Sequence, residues 1–177
     1  MERWQVYVQE ALTQIGFAKQ CYRSYRRAKA RGDISGIFLH IHHFVVHSSN
    51  IDKLLDPKPG SNRDAILKGH IDLNGINLKP FRKLRNHLEH FDERLDMWVA
   101  DYDGYPFFDM NTVTGAKGFP KKAFLRAIDG DVFKFHGEDY SLPAIYAEVL
   151  KIERRLPKGR RVRRLTKHFS RSLNRVG

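Results

Sequence analysis

The sequence predicts a mainly α fold, divided as a helical bundle over residues 1–100, a loop and β-hairpin elaboration over 101–142, a packing helix over 143–157 and a basic tail over 158–177. Three observations predict it. Apolar residues recur at three- and four-residue steps through the first hundred positions, the period of an amphipathic helix. Asp129-Gly130-Asp131 separates two apolar runs, AFLRAI and VFKFH, and Asp-Gly between such runs is a hairpin turn signal. Eleven Lys and Arg then crowd residues 151–177 against a single acid, Glu153.

The first helix is expected over residues 3–30, with Trp4, Val8, Ala11, Leu12, Ile15, Tyr22 and Tyr25 along one face. Gly32 and Asp33 interrupt it. A second helix from Ile34 to Leu55 carries Ile37, Ile41, Phe44, Ser48, Ile51 and Leu55, and the short connection makes the two antiparallel neighbours. Two prolines and a glycine in DPKPGSN end it. A shorter helix is expected over Arg63 to Ile71, then a loop over 72–80. Pro80, in a first turn where no donor is needed, opens a fourth helix that runs to Val99 on a stripe of Phe81, Leu84, Leu88, Phe91, Leu95 and Trp98. After the hairpin, Ser141 and Pro143 open a helix over Ala144 to Leu156, which Pro157 and Gly159 close. The tail has Val162, Leu165, Phe169, Leu173 and Val176 near one face and would suit one more helix.

A chain of 177 residues with 41% hydrophobic content can build a core. No stretch approaches the roughly 20 apolar residues of a membrane span, and the N-terminus lacks the pattern of a signal or transit peptide. Cys21 is the sole cysteine, so a reducing compartment is the simplest setting. These features predict a cytoplasmic protein without a membrane partner. Of the formal net charge of +12, residues 151–177 hold +10. That asymmetry predicts a polyanionic partner, RNA or DNA first.

The stretch KLRNHLEHFDERL places Arg85, Asn86, His87, Glu89 and His90 within six positions. Histidine and asparagine add little to helix stability. Asn86 and His90 lie one turn apart on one face, His87 falls within the apolar stripe, and Arg85 projects from the other flank. A guanidinium pairs two phosphate oxygens and an imidazole moves a proton near pH 7, so the set suits a phosphodiester. Glu89 is expected to pair along its own helix.

Arg85-Asn86-x-x-x-His90 resembles the signature of the HEPN domains, the nucleotide-binding helical domains of higher eukaryotes and prokaryotes, over roughly residues 3–100. The resemblance implies a helical bundle that pairs with a second copy, so that two motifs line one cleft. It implies metal-independent RNA cleavage with Arg85 and His90 as the catalytic pair and Asn86 orienting the phosphate, with no cofactor. The 2′-hydroxyl would attack, leaving a cyclic phosphate and a 5′-hydroxyl. A toxin–antitoxin, defence or RNA-processing role, with an inhibitory protein partner, is implied by the resemblance alone.

Two further features bear on function. His40, His43 and His47 recur at i, i+3 and i+7 on the second helix. They would support the Arg85/His90 cleft from behind, flank the core, or form one wall of a zinc or iron site. No metal-ligand motif accompanies them, and His42 is expected to point away. In the tail, Arg160, Arg161, Arg163, Arg164, Lys167 and Arg171 are the expected nucleic-acid contacts. The competing readings are therefore a non-enzymatic nucleic-acid-binding protein that relies on this tail and a histidine-coordinated metalloprotein.

Overall fold

The computed structural model of the protein describes residues 2–101, 109–114 and 123–157. Helix α1 (Arg3–Ala30) and helix α2 (Ile34–Leu55) form a long antiparallel pair. Gly32, at φ +66°, makes the reversal between them, and Asp33 caps α2 by accepting from the Gly36 N–H at 2.8 Å. The predicted stripe of α2 is buried throughout: Ile37, Ile41, Phe44, Ser48, Ile51 and Leu55 all face inward. On α1, Val8, Ala11, Ile15 and Tyr25 are buried, while Trp4, Leu12 and Tyr22 pack at the margin.

Helix α3 (Asn62–Leu67) is shorter than predicted. The expected single helix after Pro80 is two, α4 (Lys79–Glu89) and α5 (Phe91–Ala100), broken at His90 with φ −116° and ψ 39°. No glycine or proline sits there. The His90 N–H still bonds Asn86 O at 3.2 Å, and the ladder resumes with Arg94 N–H to His90 O at 3.0 Å. Tertiary packing explains the break, because Phe91 turns its ring toward Phe135 at 6.3 Å and beneath the Arg126 guanidinium at 4.7 Å. Leu95, predicted as core, is 36% exposed in consequence.

The predicted hairpin is present as β2 (Arg126–Asp129) and β3 (Val132–Phe135), with Gly130 at φ +60° in the turn. It belongs to a larger sheet than predicted. Strand β1 (Asp109–Val113) lies parallel to β2, and β4 (Glu138–Ser141) pairs antiparallel with β3, giving the order β1-β2-β3-β4. The second turn, His136-Gly137, has positive φ at both residues (46° and 77°), the twist a two-residue hairpin needs. Helix α6 (Leu142–Arg155) then packs on α1. Its Ser141 cap accepts from Ala144 N–H at 3.4 Å.

One core joins both layers. Tyr22 of α1 stacks on Tyr146 of α6 with centroids 4.0 Å apart, and Phe38 of α2 meets Phe133 of β3 edge-on. Asp131, at the hairpin tip, accepts from Tyr25 Oη at 2.7 Å, Lys29 Nζ at 2.6 Å and Arg26 Nη1 at 3.0 Å. The Lys29 bond above all holds its carboxyl below the usual range. Asp131→Ala is expected to cost about 1–3 kcal/mol, read from the urea midpoint, because Tyr25 keeps its buried hydroxyl and loses its acceptor. A carboxyl lowered in the folded state stabilises it fully above the unfolded pKa of about 3.9. That contribution is lost as pH falls through the lower folded value, so the gap between wild type and variant should close in acid.

Among the described residues no helix is long and apolar enough to cross a membrane. The predicted tail helix, and Arg160, Arg161, Arg163, Arg164, Lys167 and Arg171 with it, lie outside the described residues.

Candidate phosphodiester site

Helix α4 commits Phe81, Leu84 and His87 to the interior, which turns Arg82, Arg85 and Glu89 toward α2 and leaves Asn86 exposed. His87 is the core histidine its place in the stripe predicted. Its Nε2 lies 3.0 Å from Tyr140 Oη, and that hydroxyl in turn donates to Glu138 Oε2 at 3.1 Å. Because the one phenolic proton goes to Glu138, His87 Nε2–H must be the donor to Tyr140. Burial is the main force lowering the His87 pKa, so the ring stays neutral and performs a structural task.

Asp52 faces Arg82 and Arg85 from α2, with a carboxylate only 3% exposed. Arg82 Nε donates to Asp52 Oδ1 at 3.1 Å and also pairs with Asp56. Arg85 is held differently. Its Nη1 is 3.7 Å from Asp52 Oδ2 and its Nε 3.5 Å from Glu89 Oε2, yet the buried Nε has no hydrogen-bond partner. Asp52 and Glu89 are each shared, with Arg82 and with Lys53, so Arg85 lies within ion-pair distance of both and makes no hydrogen bond to either. Burial raises the Asp52 carboxyl above its usual range, with Arg82 and Arg85 offsetting part of that rise. Glu89 is drawn lower, chiefly by Lys53 Nζ.

His90 stands at the α4–α5 break with its side chain 46% exposed. Its Nδ1 lies 3.1 Å from Glu93 Oε1. An ionised carboxylate only accepts, so the neutral ring carries its proton on Nδ1 and presents the Nε2 lone pair. Arg85 lines two grooves. One, of about 250 Å³, is bounded by His42, Ser49, Asn50, Lys53, Leu88 and Glu89. The other, of about 570 Å³, opens toward α3. His90 lines neither of these two grooves.

The second histidine set divides. His47 Nδ1 contacts Gln14 Oε1 at 2.8 Å and its ring rests on Phe17, so it faces α1. His40 is half-buried and His43 exposed. The α2 histidine in the Arg85 groove is instead His42, whose pKa burial lowers, with His43 and Arg126 adding to the shift. Among the described residues no three His, Cys, Asp or Glu side chains come together as a metal site. Asp52 and Glu93 were not singled out by the sequence, and His42 was expected only to point away from the face of His40, His43 and His47; it is exposed. For Asp52 a signal existed: it follows Ser48 by one turn and adjoins Ile51, a carboxylate beside an otherwise apolar stripe.

Comparison with protein-family models, curated proteins and solved structures found no match to this chain.

Proposed function

We propose that the protein is a metal-independent endoribonuclease of HEPN type that acts as a homodimer. The observation that carries this reading is Arg85, a guanidinium held within ion-pair distance of two carboxylates, part-exposed, with no hydrogen bond from its Nη groups among the described residues. Paired with it is an exposed imidazole whose tautomer Glu93 sets. In the proposed step His90 Nε2 of one copy takes the proton of a ribose 2′-hydroxyl. The 2′-oxygen forms a bond to phosphorus as the bond from phosphorus to the 5′-oxygen breaks, the 5′-oxygen takes a proton from water, and His90 returns its proton to solvent. A 2′,3′-cyclic phosphate and a 5′-hydroxyl result. Arg85 stabilises the charge that gathers on the phosphoryl oxygens, and Asn86, exposed on the same ridge, contacts the phosphate.

Pairing of two copies is supported by α5. Leu95 and Val99 sit one turn apart on this helix, next in the chain to His90, and Val99 is 57% exposed. A second copy covering them would bring two ridges together. Val99→Asp is therefore expected to shift the protein to monomer in light scattering and to abolish cleavage, while the circular dichroism spectrum stays that of the wild type. A monomeric wild type would remove the shared cleft from the proposal.

The decisive experiment is cleavage of a structured RNA in excess EDTA with analysis of the 3′ ends. Inhibition by a protein partner and a toxin, defence or RNA-processing role follow from the same proposal.

A further inference from the structure

The larger groove lies between the end of α2, the 56–61 turn, α3 and α4, and Tyr7 of α1 closes one side. Five cations line it: Lys53, Lys58, Arg63, Arg82 and Arg85. Their pairing is uneven. Arg82 is neutralised by Asp52 and Asp56, Lys53 is paired with Glu89, and Arg85 sits between Asp52 and Glu89. Lys58 and Arg63 have no carboxylate partner among the described residues. Arg63 is nonetheless held in place. Its Nη1 donates to the Lys53 carbonyl, and its guanidinium lies over the Tyr7 ring, 5.5 Å from the centroid. A carbonyl and a ring face immobilise a cation without cancelling its charge. The protein has thus ordered a positive group in the lining of an open groove that Arg85 also lines.

We infer that this groove binds a phosphate of the RNA strand other than the one being cleaved, with Arg63 and Lys58 as its ligands. The inference rests on the ribonuclease reading for the identity of the polyanion, and it adds a substrate path that leaves the Arg85 ridge toward α3. Its volume of about 570 Å³ falls within the range of about 300–1,000 Å³ common for small-ligand sites, enough for a nucleotide unit. An Arg fork suits two phosphate oxygens, and Lys58 supplies a point charge beside it. A phosphodiester is favoured over an acidic protein segment because Arg85, the residue proposed to meet the scissile phosphate, lines the same groove.

The test uses the full chain and a twelve-nucleotide oligouridylate with 2′-O-methyl sugars, which cannot be cleaved by 2′-hydroxyl attack. Lys58 is exposed, so Lys58→Glu leaves the fold intact. Arg63→Ala is the second variant. Each is expected to weaken binding about tenfold and to make the plot of log K against log salt shallower, by about 0.7 for each phosphate of a single strand that is no longer neutralised. With cleavable RNA, Lys58→Glu should raise KM and leave kcat unchanged. Wild-type affinity and slope in both variants would overturn the groove assignment even if Arg85- and His90-dependent cleavage is found. Weakened binding in both variants without any cleavage by the wild type would sustain the groove and overturn the nuclease reading instead. Tighter binding of a twelve-residue oligoglutamate than of the RNA, abolished in the same variants, would assign the groove to an acidic protein and overturn the RNA assignment.

Discussion

Arg85→Ala and His90→Ala are each expected to abolish RNA cleavage that the wild type performs in excess EDTA. A positioned general base contributes about 10²–10⁴-fold to such a step, so His90→Ala should fall at least a hundredfold. Arg85→Ala should fall comparably, because a charged donor aimed at the phosphoryl oxygens is worth about 10²–10³. Neither change should unfold the protein. His90 is half exposed, and among the described residues its side chain hydrogen-bonds Glu93, one turn on. Removing Arg85 leaves Asp52 with its hydrogen bond from Arg82. Glu93→Gln provides a finer readout. An amide that turns its NH2 toward Nδ1 favours the other tautomer, so cleavage should drop with the imidazole still in place. Equal cleavage by the wild type and both alanine variants would end the proposal for this ridge.

Asp52→Asn is expected to slow cleavage about 10–100-fold in protein that remains folded. Asp52 touches no substrate in the proposed mechanism and acts through Arg85 and Arg82. A guanidinium displaced by about 1 Å can cost two orders of magnitude in rate. The loss should appear in kcat, whereas a variant that merely reduced the folded fraction would scale with stability and recover at lower temperature. Asp52→Ala should also destabilise, on the order of 2–3 kcal/mol. That is below the ~3–5 kcal/mol for breaking a fully buried pair, since the Arg82 side chain left behind is half exposed. The pH dependence has an unusual sign. A carboxyl raised in the folded state lets that state hold more protons than the unfolded chain between the unfolded value of about 3.9 and the raised value. Its contribution to stability therefore declines as pH rises through that window. The Asn variant should lose this decline, visible in urea midpoints collected from pH 3 upward.

Much of the scaffold is written in local pattern. The buried stripe of α2 follows directly from its three- and four-residue spacing, and the reversal at Gly32, the start of α4 at Pro80 and the start of α6 at Ser141 follow from capping and turn chemistry. The hairpin at Gly130 was legible for the same reason. The second hairpin was less so, because its turn carries His136 at positive φ, a position that sequence preference assigns to Gly or Asn. Strand β1 was not legible at all. It pairs parallel with β2, and parallel pairing has no tight hairpin turn to announce it.

The site divides along the same line. Sequence by itself determined which chemical groups share one ridge, since Arg85, Asn86, Glu89 and His90 are placed by helical geometry within a turn and a half. It also determined that His87 goes inward. Only the tertiary structure decided that Asp52 stands behind Arg85, that His42 rather than His47 faces the groove, and that the helix breaks at His90 and leaves its ring outside that groove. The physical reason is range. Periodicity and capping act between residues a few positions apart, whereas the Asp52–Arg85 contact and the turn of Phe91 toward Phe135 join segments 33 and 44 residues apart, and the packing of a whole core selects them.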